Sequence, residues 1–228
     1  MSIKIFADGA NLDQIKKLND IVDGYTFNPS LLRKSGVLDF KEFAMEVLDK
    51  TNLPVSFEVF SDSLYEMERE ANIIASLGEN IFVKIPPMTT REVQTFPLIY
   101  SLSKNGIKIN ATCIFTVSQI DTIIESLGYY DHKSIISIFS GRIMDAGYDA
   151  ENLIRYAKDN CYPNQQILWA STREIFNIKQ AERSGADIIT LSVDLINKMN
   201  ILGKDLYEFS LDTIKMFRKD AVESGYKL

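Results

Sequence analysis

The sequence has little of what metal sites, disulfide frameworks and histidine-based catalysis require. Its 228 residues include two cysteines, Cys113 and Cys161, and one histidine, His132. The cysteines have no paired spacing and no histidine near them, which argues against a zinc site and against a disulfide framework. A Ser-His or Cys-His catalytic unit would have to use His132, which stands in a turn-like segment and is better explained as a solvated loop residue.

Basic charge and long apolar runs are also missing. The formal net charge of −6 disfavours a nucleic-acid partner, which would need a basic face. No apolar run reaches the roughly 18 residues of a membrane span. The chain also starts directly with strand-like sequence rather than with a signal peptide. We therefore expect a cytoplasmic protein without nucleic-acid or membrane partners.

What the sequence does contain is a regular alternation of short apolar, β-branched runs with longer amphipathic ones. Strands alternating with helices imply parallel pairing, and eight such units close naturally into a barrel. The predicted fold class is therefore α/β, a (β/α)8 TIM barrel forming one domain over residues 1–228, with a last helix from about Lys204 to Ser224. The eight strand candidates are Ile3–Ala7, Ile21–Phe27, Pro54–Val59, Ile81–Ile85, Ile107–Thr112, Ser134–Phe139, Gln166–Ala170 and Ile188–Leu191.

An open, doubly wound parallel sheet is the competing fold. It would usually show a Gly-rich turn after its first strand, and the segment from Ala7 to Asn11 does not have that pattern. Three candidate capping boxes, at Ser63/Glu66, Thr89/Glu92 and Ser171/Glu174, fit helix starts in the barrel arrangement.

Polar side chains close almost every predicted strand, at the end where a parallel barrel forms its active site. Structural alternatives exist for several of them. Asp8 and Asn28 could be turn residues, and Ser171 could do no more than cap a helix. The strand-end residues are Asp8, Asn28, Glu58, Lys84, Asn110 with Thr112, Ser137 and Ser171.

Lys84 is the most unusual of these residues, because it stands in the apolar segment Ile81–Pro86. Burying an unpaired ammonium group is costly. Loss of solvation favours the neutral amine, which is a nucleophile toward carbonyl groups. The structural alternative is a salt bridge to Glu58 or Asp8 across the barrel.

The same strand ends carry a resemblance to a known family over essentially the whole chain. The sequence resembles the transaldolases, in particular the short subfamily that also includes fructose 6-phosphate aldolase. Each motif alone is weak, but their order, one per strand with the lysine on the fourth, is specific. The motifs are Phe6-Ala7-Asp8, Asn28-Pro29-Ser30, Phe57-Glu58-Val59, Val83-Lys84-Ile85-Pro86, Ile109-Asn110-Ala111-Thr112 with Gln119, Ser137 through Gly141-Arg142-Ile143, and Ala170-Ser171-Thr172-Arg173.

The resemblance implies a metal-free reaction of the class I aldolase type, without a cofactor, in carbohydrate metabolism of the pentose phosphate pathway. Lys84 would form an imine with a ketose phosphate, either fructose 6-phosphate or sedoheptulose 7-phosphate. Asp8 would act as the base for C3–C4 cleavage, and Glu58, through a water shared with Thr112, would move the protons of imine formation and hydrolysis. A dihydroxyacetone unit would then pass to an aldose phosphate. Substrate contacts would come from Asn28, Asn110, Ser137 and Phe139, and phosphate contacts from Arg142, Ser171 and Arg173, the last two at a helix N-terminus.

Two positions favour a transferase over an aldolase. The transaldolases resemble this chain in having Glu on the third strand and Phe on the sixth, here Glu58 and Phe139, where fructose 6-phosphate aldolase has Gln and Tyr. The chain departs from the family at Gly9, Phe27, Ile138, Ser140, Thr172 and the Pro86-Pro87-Met88-Thr89 segment. Phe27 and Ile138 are expected to border the donor pocket.

These departures leave three hypotheses: a transaldolase, an aldolase or a transaldolase for a modified sugar, and an inactive binding barrel. The resemblance also implies a homo-oligomer, a pentamer or decamer, in which the C-terminal helix contacts a neighbour. The apolar stripe of that helix would equally suit covering the bottom of its own barrel.

Overall fold

The structure, a computed structural model, describes residues 3–227. Eight parallel strands pair in sequential order, and β8 closes onto β1, so the predicted (β/α)8 barrel is confirmed. The strands are β1 (Lys4–Asp8), β2 (Gly24–Thr26), β3 (Val55–Glu58), β4 (Ile81–Ile85), β5 (Ile109–Ile114), β6 (Ser134–Ile138), β7 (Gln165–Trp169) and β8 (Ile188–Ser192).

Helices connect successive strands of the barrel, and two more follow β8 along the chain. They are α1 (Leu12–Leu18), α2 (Pro29–Lys34), α3 (Phe40–Lys50), α4 (Leu64–Ala75), α5 (Phe96–Lys104), α6 (Val117–Leu127), α7 (Ser140–Asp145), α8 (Ala150–Asn160), α9 (Asn177–Ser184), α10 (Val193–Asn197) and α11 (Leu206–Glu223). A short 3-10 helix, Met199–Ile201, follows α10. None of the helices within residues 3–227 is both long enough and apolar enough to cross a membrane.

The predicted helix starts were less accurate than the strands. Ser63 precedes α4 but makes no side-chain capping bond, and Thr89 lies in a turn ahead of α5. The capping boxes that do form use amides in place of the predicted glutamates. Asn11 with Gln14 caps α1, and Thr116 with Gln119 caps α6.

Large apolar side chains fill the barrel below the polar strand ends. Because side chains alternate along a strand, Phe6 and Asp8 of β1 both point inward, with Phe6 one layer deeper. Gly24 of β2 makes room for that ring, since a Cβ there would come within 2.6 Å of Phe6. The buried apolar cluster of Phe6, Phe82, Ile135, Leu168, Ala170 and Ile188 therefore fills the barrel interior, and Leu168 and Ala170 of this cluster also line the cavity.

The chain divides into two compact units, the second of which begins at Asn197. The second unit contains the predicted long C-terminal helix, α11, whose start is capped by Asp205 through the backbone N–H groups of Tyr207 and Glu208. The interpretation of residues 1–228 as one domain stays a prediction.

Candidate active site

A cavity of about 200 Å³ opens at the C-terminal ends of the barrel strands. The structure brings nine of the eleven predicted site residues to its wall and leaves Glu58 and Asn110 behind it. The predicted residues on the wall are Asp8, Asn28, Lys84, Thr112, Ser137, Phe139, Arg142, Ser171 and Arg173.

Lys84 and Glu58 form an ion pair beside this cavity. The two residues are register partners on β4 and β3, and Lys84 Nζ lies 3.1 Å from Glu58 Oε2. Lys84 is only 5% exposed, and its ammonium also donates to the carbonyl of Phe27 at 3.3 Å. The salt bridge that sequence analysis offered as the structural alternative is thus present. A buried ammonium needs such partners, and the same carboxylate can exchange protons with the amine.

Asp8 ends β1 with its carboxylate held by a hydroxyl. Thr26 Oγ1 donates to Asp8 Oδ1 at 2.7 Å, and the same Thr26 oxygen lies 2.7 Å from Thr190 Oγ1. Burial raises the pKa of Asp8, while the positive charge of Lys84 and the hydrogen bond from Thr26 act in the opposite direction. A carboxylate with a raised pKa beside a cationic amine is suited to accept and return a proton.

Asn28 lines the cavity and also has the structural role that sequence analysis considered. Its Oδ1 accepts the backbone N–H of Leu31 at 3.0 Å and so begins α2. Because the cap uses Oδ1, the amide nitrogen is the end of Asn28 that can donate to a ligand.

Asn110 does not line the cavity wall, so its direct contact with substrate stays a prediction. It is fully buried, and its amide donates to Ser56 Oγ at 3.0 Å and accepts from Ser137 Oγ at 2.7 Å. Ser137 does line the cavity. Asn110 therefore fixes the direction of the Ser137 hydroxyl from behind.

Thr112 stands where β5 is irregular. The pairing of β5 with β6 shifts register between Ala111 and Ile114, and Cys113 adopts φ +57° inside that stretch. Thr112 is fully buried, and its Oγ1 has no hydrogen-bond partner among residues 3–227. Since an unpaired buried hydroxyl costs free energy, a polar group in the cavity would be stabilised by this contact. Burial also raises the pKa of the Cys113 thiol, which disfavours its thiolate.

Two arginines lie on one side of the cavity. Arg142 belongs to α7, whereas Arg173 belongs to the loop between β7 and α9. Arg173 donates through Nε and Nη2 to Asp145 Oδ2, at 2.8 and 2.5 Å, which fixes its guanidinium group at the end of α7. The pair is suited to a phosphate group, because guanidinium forks match its oxygens.

The predicted helix N-terminus at Ser171 was wrong. Ser171 has φ +63°, and the next helix, α9, begins only at Asn177. The backbone N–H groups of Arg173 and Glu174 are already bonded to Asn177 Oδ1. Any contribution of Ser171 to anion binding therefore has to come from its own groups, and not from a helix end.

Phe27 and Ile138 were expected to border the donor pocket, and this prediction is not confirmed for their side chains. The ring of Phe27 stacks on Phe57 at 5.2 Å and meets Phe43 edge-on at 5.4 Å, in the layer between strands and helices. Ile138 is fully buried, and neither residue is on the cavity wall. Phe139 does line the cavity and packs against Phe115 at 5.6 Å.

Sequence analysis also missed six residues of the wall. Alternation along β2 would have found Thr26, which lies two residues before the predicted site residue Asn28. The missed residues are Thr26, Leu168, Ala170, Thr172, Thr190 and Ser192.

Comparison with a solved structure supports the fold alone. A designed, cube-shaped, highly porous protein cage superposes with a TM-score of 0.57 at 10% sequence identity, covering 99% of this chain and 81% of that chain.

Sequence comparison is more specific. A relative from Paracoccus denitrificans, described as a probable transaldolase, is 36% identical over 225 residues, which cover 95% of this chain and 99% of the relative. A probable transaldolase from Methanococcus maripaludis is 36% identical over 202 residues, covering 86% and 89%. The sequence model of the family described as Transaldolase/Fructose-6-phosphate aldolase matches residues 5–228. The chain therefore belongs to the transaldolase/fructose-6-phosphate aldolase family of enzymes.

Proposed function

We propose that the protein is a transaldolase whose reaction proceeds through a Schiff base on Lys84. The substrates would be fructose 6-phosphate or sedoheptulose 7-phosphate as donor and an aldose phosphate as acceptor. The observation that carries the proposal is the buried Lys84 amine at the cavity wall, with Glu58 bonded to it and Asp8 close enough to feel its charge.

In the first half-reaction, Glu58 takes one proton from the Lys84 ammonium, and the neutral amine that results adds to the C2 carbonyl of the ketose. A second proton passes from the attached nitrogen to the former carbonyl oxygen. Glu58 then returns the first proton to this hydroxyl, so that water leaves and an iminium ion remains, a role that its 3.1 Å contact with Nζ permits. The Thr112 hydroxyl, which has no protein partner among the described residues, would hold the water on the cavity side.

Cleavage then requires a base at the C4 hydroxyl. Asp8 removes that proton, the C3–C4 bond breaks, and its electron pair moves toward the iminium nitrogen to leave an enamine on Lys84. The first aldose phosphate departs with C4 as its aldehyde carbon. In the second half-reaction the enamine carbon attacks the acceptor aldehyde, Asp8 returns its proton to the new hydroxyl, and hydrolysis of the imine releases the new ketose phosphate.

The phosphate would be held on the side of the cavity that Arg142 and Arg173 line. Asp145 already bonds Arg173 and so presents its guanidinium group in a fixed orientation. Ser171, Asn28 and Ser137 supply the remaining polar groups of the wall.

The alternative is an aldolase, or a transaldolase for a modified sugar. Glu58 and Phe139 favour transfer, because a phenyl ring next to the carbanion carries no proton that could release free dihydroxyacetone. Thr172 favours a modified donor, since it lines the cavity where the family has an aromatic residue.

The test is turnover of fructose 6-phosphate with and without an acceptor, using erythrose 4-phosphate as the acceptor. A transaldolase needs the acceptor, whereas an aldolase releases dihydroxyacetone without it. Lys84→Ala should abolish both reactions, and Lys108→Ala, a half-buried lysine outside the cavity wall whose amine bonds the carbonyl of Glu79, serves as the matched control.

A homo-oligomer, pentameric or decameric, is part of the proposal. Its support is the exposed apolar side chains of α11, including Leu206, Ile214 and Phe217. Light scattering coupled to size exclusion tests it.

The two cysteines, both free thiols, suit the reducing conditions of the cytoplasm.

A further inference from the structure

Two threonine hydroxyls form a chain that ends on Asp8. Thr26 on β2 is the register partner of Asp8, and Thr190 on β8 is the register partner of Phe6, so the two threonines flank β1 from opposite sides. Their side chains nevertheless meet, with Oγ1 atoms 2.7 Å apart, and both are buried.

Counting protons shows which group is the donor in each of these two hydrogen bonds. Thr26 has one hydroxyl hydrogen, and it is donated to Asp8 Oδ1 at 2.7 Å, because an ionised carboxylate can only accept. The hydrogen between the two threonines must therefore come from Thr190. Thr190 Oγ1 makes no other hydrogen bond within residues 3–227, so its hydrogen has one acceptor in the protein.

We infer that Thr190 is a positioning residue for the reaction, which acts through Thr26 to orient Asp8 and to stabilise its carboxylate form. The inference rests on the proposed role of Asp8 as the base at the C4 hydroxyl. Because Oδ1 of Asp8 accepts the hydrogen bond from Thr26, Oδ2 is the oxygen that remains for the substrate. A donor that is itself polarised by a second donor binds an anion more strongly.

The hydrogen bonds that link Thr190, Thr26 and Asp8 also change with the protonation state of Asp8. When Oδ2 takes the substrate proton, the charge on Oδ1 falls and the bond from Thr26 weakens, so Thr190 favours return of the proton. Other charged groups act on the same carboxylate. Lys84 faces Asp8 from β4, and the two cavities that Asp8 lines also contain Lys34 of α2, Asp194 of α10, Arg142 of α7 and Arg173 of the loop after β7. None of these groups is changed by a substitution at Thr190.

The experiment compares Thr190→Val, Thr190→Ser and the unsubstituted protein across pH. Valine has the shape of threonine without the hydroxyl, so the carboxylate loses part of its stabilisation. The acid limb of the kcat profile should move up by about half to one pH unit, and kcat on that limb should fall about three- to tenfold, with little change in KM. Thr190→Ser keeps the hydroxyl and should return the limb to its original position.

A matched control is Thr122→Val, which removes an exposed hydroxyl on α6 that bonds the carbonyl of Ser118 and lies outside the cavity wall. Its acid limb should coincide with that of the unsubstituted protein. Because the position of a limb does not depend on how much protein is folded, a lower yield of Thr190→Val leaves the measurement valid.

Failure of this inference is separable from failure of the proposed function. If borohydride traps a ketose adduct on every variant but the acid limb of Thr190→Val does not move, the role of Thr190 is overturned and the Schiff base stands. A shift that Thr190→Ser does not reverse overturns it as well. If the unsubstituted protein traps no adduct, the proposed function itself fails.

Discussion

Lys84 Nζ and Glu58 Oε2 lie 3.1 Å apart on neighbouring strands that pair these two residues in register. Parallel pairing fixes this contact through the backbone, so the amine and the carboxylate approach each other without a flexible loop. The Phe27 carbonyl adds a second acceptor for the ammonium.

Glu58→Gln keeps the size of the side chain but removes its ability to accept the proton from Lys84. Imine formation and hydrolysis both need that transfer, so kcat should fall by about 10²-fold or more. Steady-state turnover of fructose 6-phosphate measures this. Glu66→Gln, an exposed glutamate paired with Arg69, is the control. Turnover of Glu58→Gln equal to that of the control would show that Glu58 is only a structural partner.

Asp8→Asn should stabilise the folded protein near neutral pH. Burial raises the pKa of Asp8, so the folded state binds this proton more tightly than the unfolded state does. Stability from this group is present below the ordinary aspartate pKa and is lost as pH rises through the raised value. Asparagine does not ionise, and the gain in Tm should be largest at about pH 7 and shrink toward about pH 4.

Thermal melts across pH test the sign of that dependence. A gain in Tm at neutral pH is expected, and each 1 kcal/mol would appear as about 2–4 °C for a chain of this size. Asp13→Asn, on the exposed face of α1, should give no such gain. A Tm for Asp8→Asn that falls below that of the unsubstituted protein at neutral pH would mean that Asp8 is a stabilising ion-pair partner.

Arg142→Ala should weaken binding of phosphorylated substrates selectively. Removing one charge-assisted hydrogen-bond donor costs about 1.5–3 kcal/mol, which corresponds to a roughly ten- to hundredfold rise in KM for fructose 6-phosphate. The KM for unphosphorylated fructose should rise much less. Arg155→Ala, on α8 and paired with Glu151, is the matched control. Equal losses for both sugars would place the phosphate elsewhere.

Gly141→Ala should disturb the contact between α7 and the loop that carries Ser171. A Cβ at position 141 would come within 1.6 Å of the Ser171 carbonyl oxygen, so the loop must move. We expect a lower Tm together with a higher KM for phosphorylated substrates, because Arg142 and Arg173 lie on the two sides of this contact. Gly147→Ala has open space around its Cβ and tests backbone strain alone, at φ +85°. If Gly141→Ala has the same KM as Gly147→Ala, the contact between α7 and the Ser171 loop does not position the two arginines.

The strands and their polar ends were predictable because both follow simple periodicities. Short apolar, β-branched runs located all eight strands, and the polar residues at their ends include Asp8, Lys84 and Ser137, which line the cavity. Phe27 shows what two-residue alternation would have added, since Thr26 and Asn28 on either side of it face inward and so require Phe27 to face outward.

The loop after β7 could not be predicted, because its geometry depends on tertiary contacts. Ser171 and Glu174 have the spacing of a capping box, yet Ser171 adopts a left-handed conformation and Asn177 binds the nearby N–H groups instead. The Thr26–Thr190 contact was equally hidden. Threonine is common in strands for reasons of β-propensity alone, and only barrel closure brings β8 next to β1.

The most direct test of the Schiff-base account is borohydride reduction in the presence of fructose 6-phosphate, read by intact mass and then by peptide mapping. The account predicts one ketose-derived adduct per chain, located on the peptide that contains Lys84 and missing in Lys84→Ala. An adduct on another lysine, or no adduct on a protein that is folded, would contradict it, and the second result would favour a barrel that binds without catalysis.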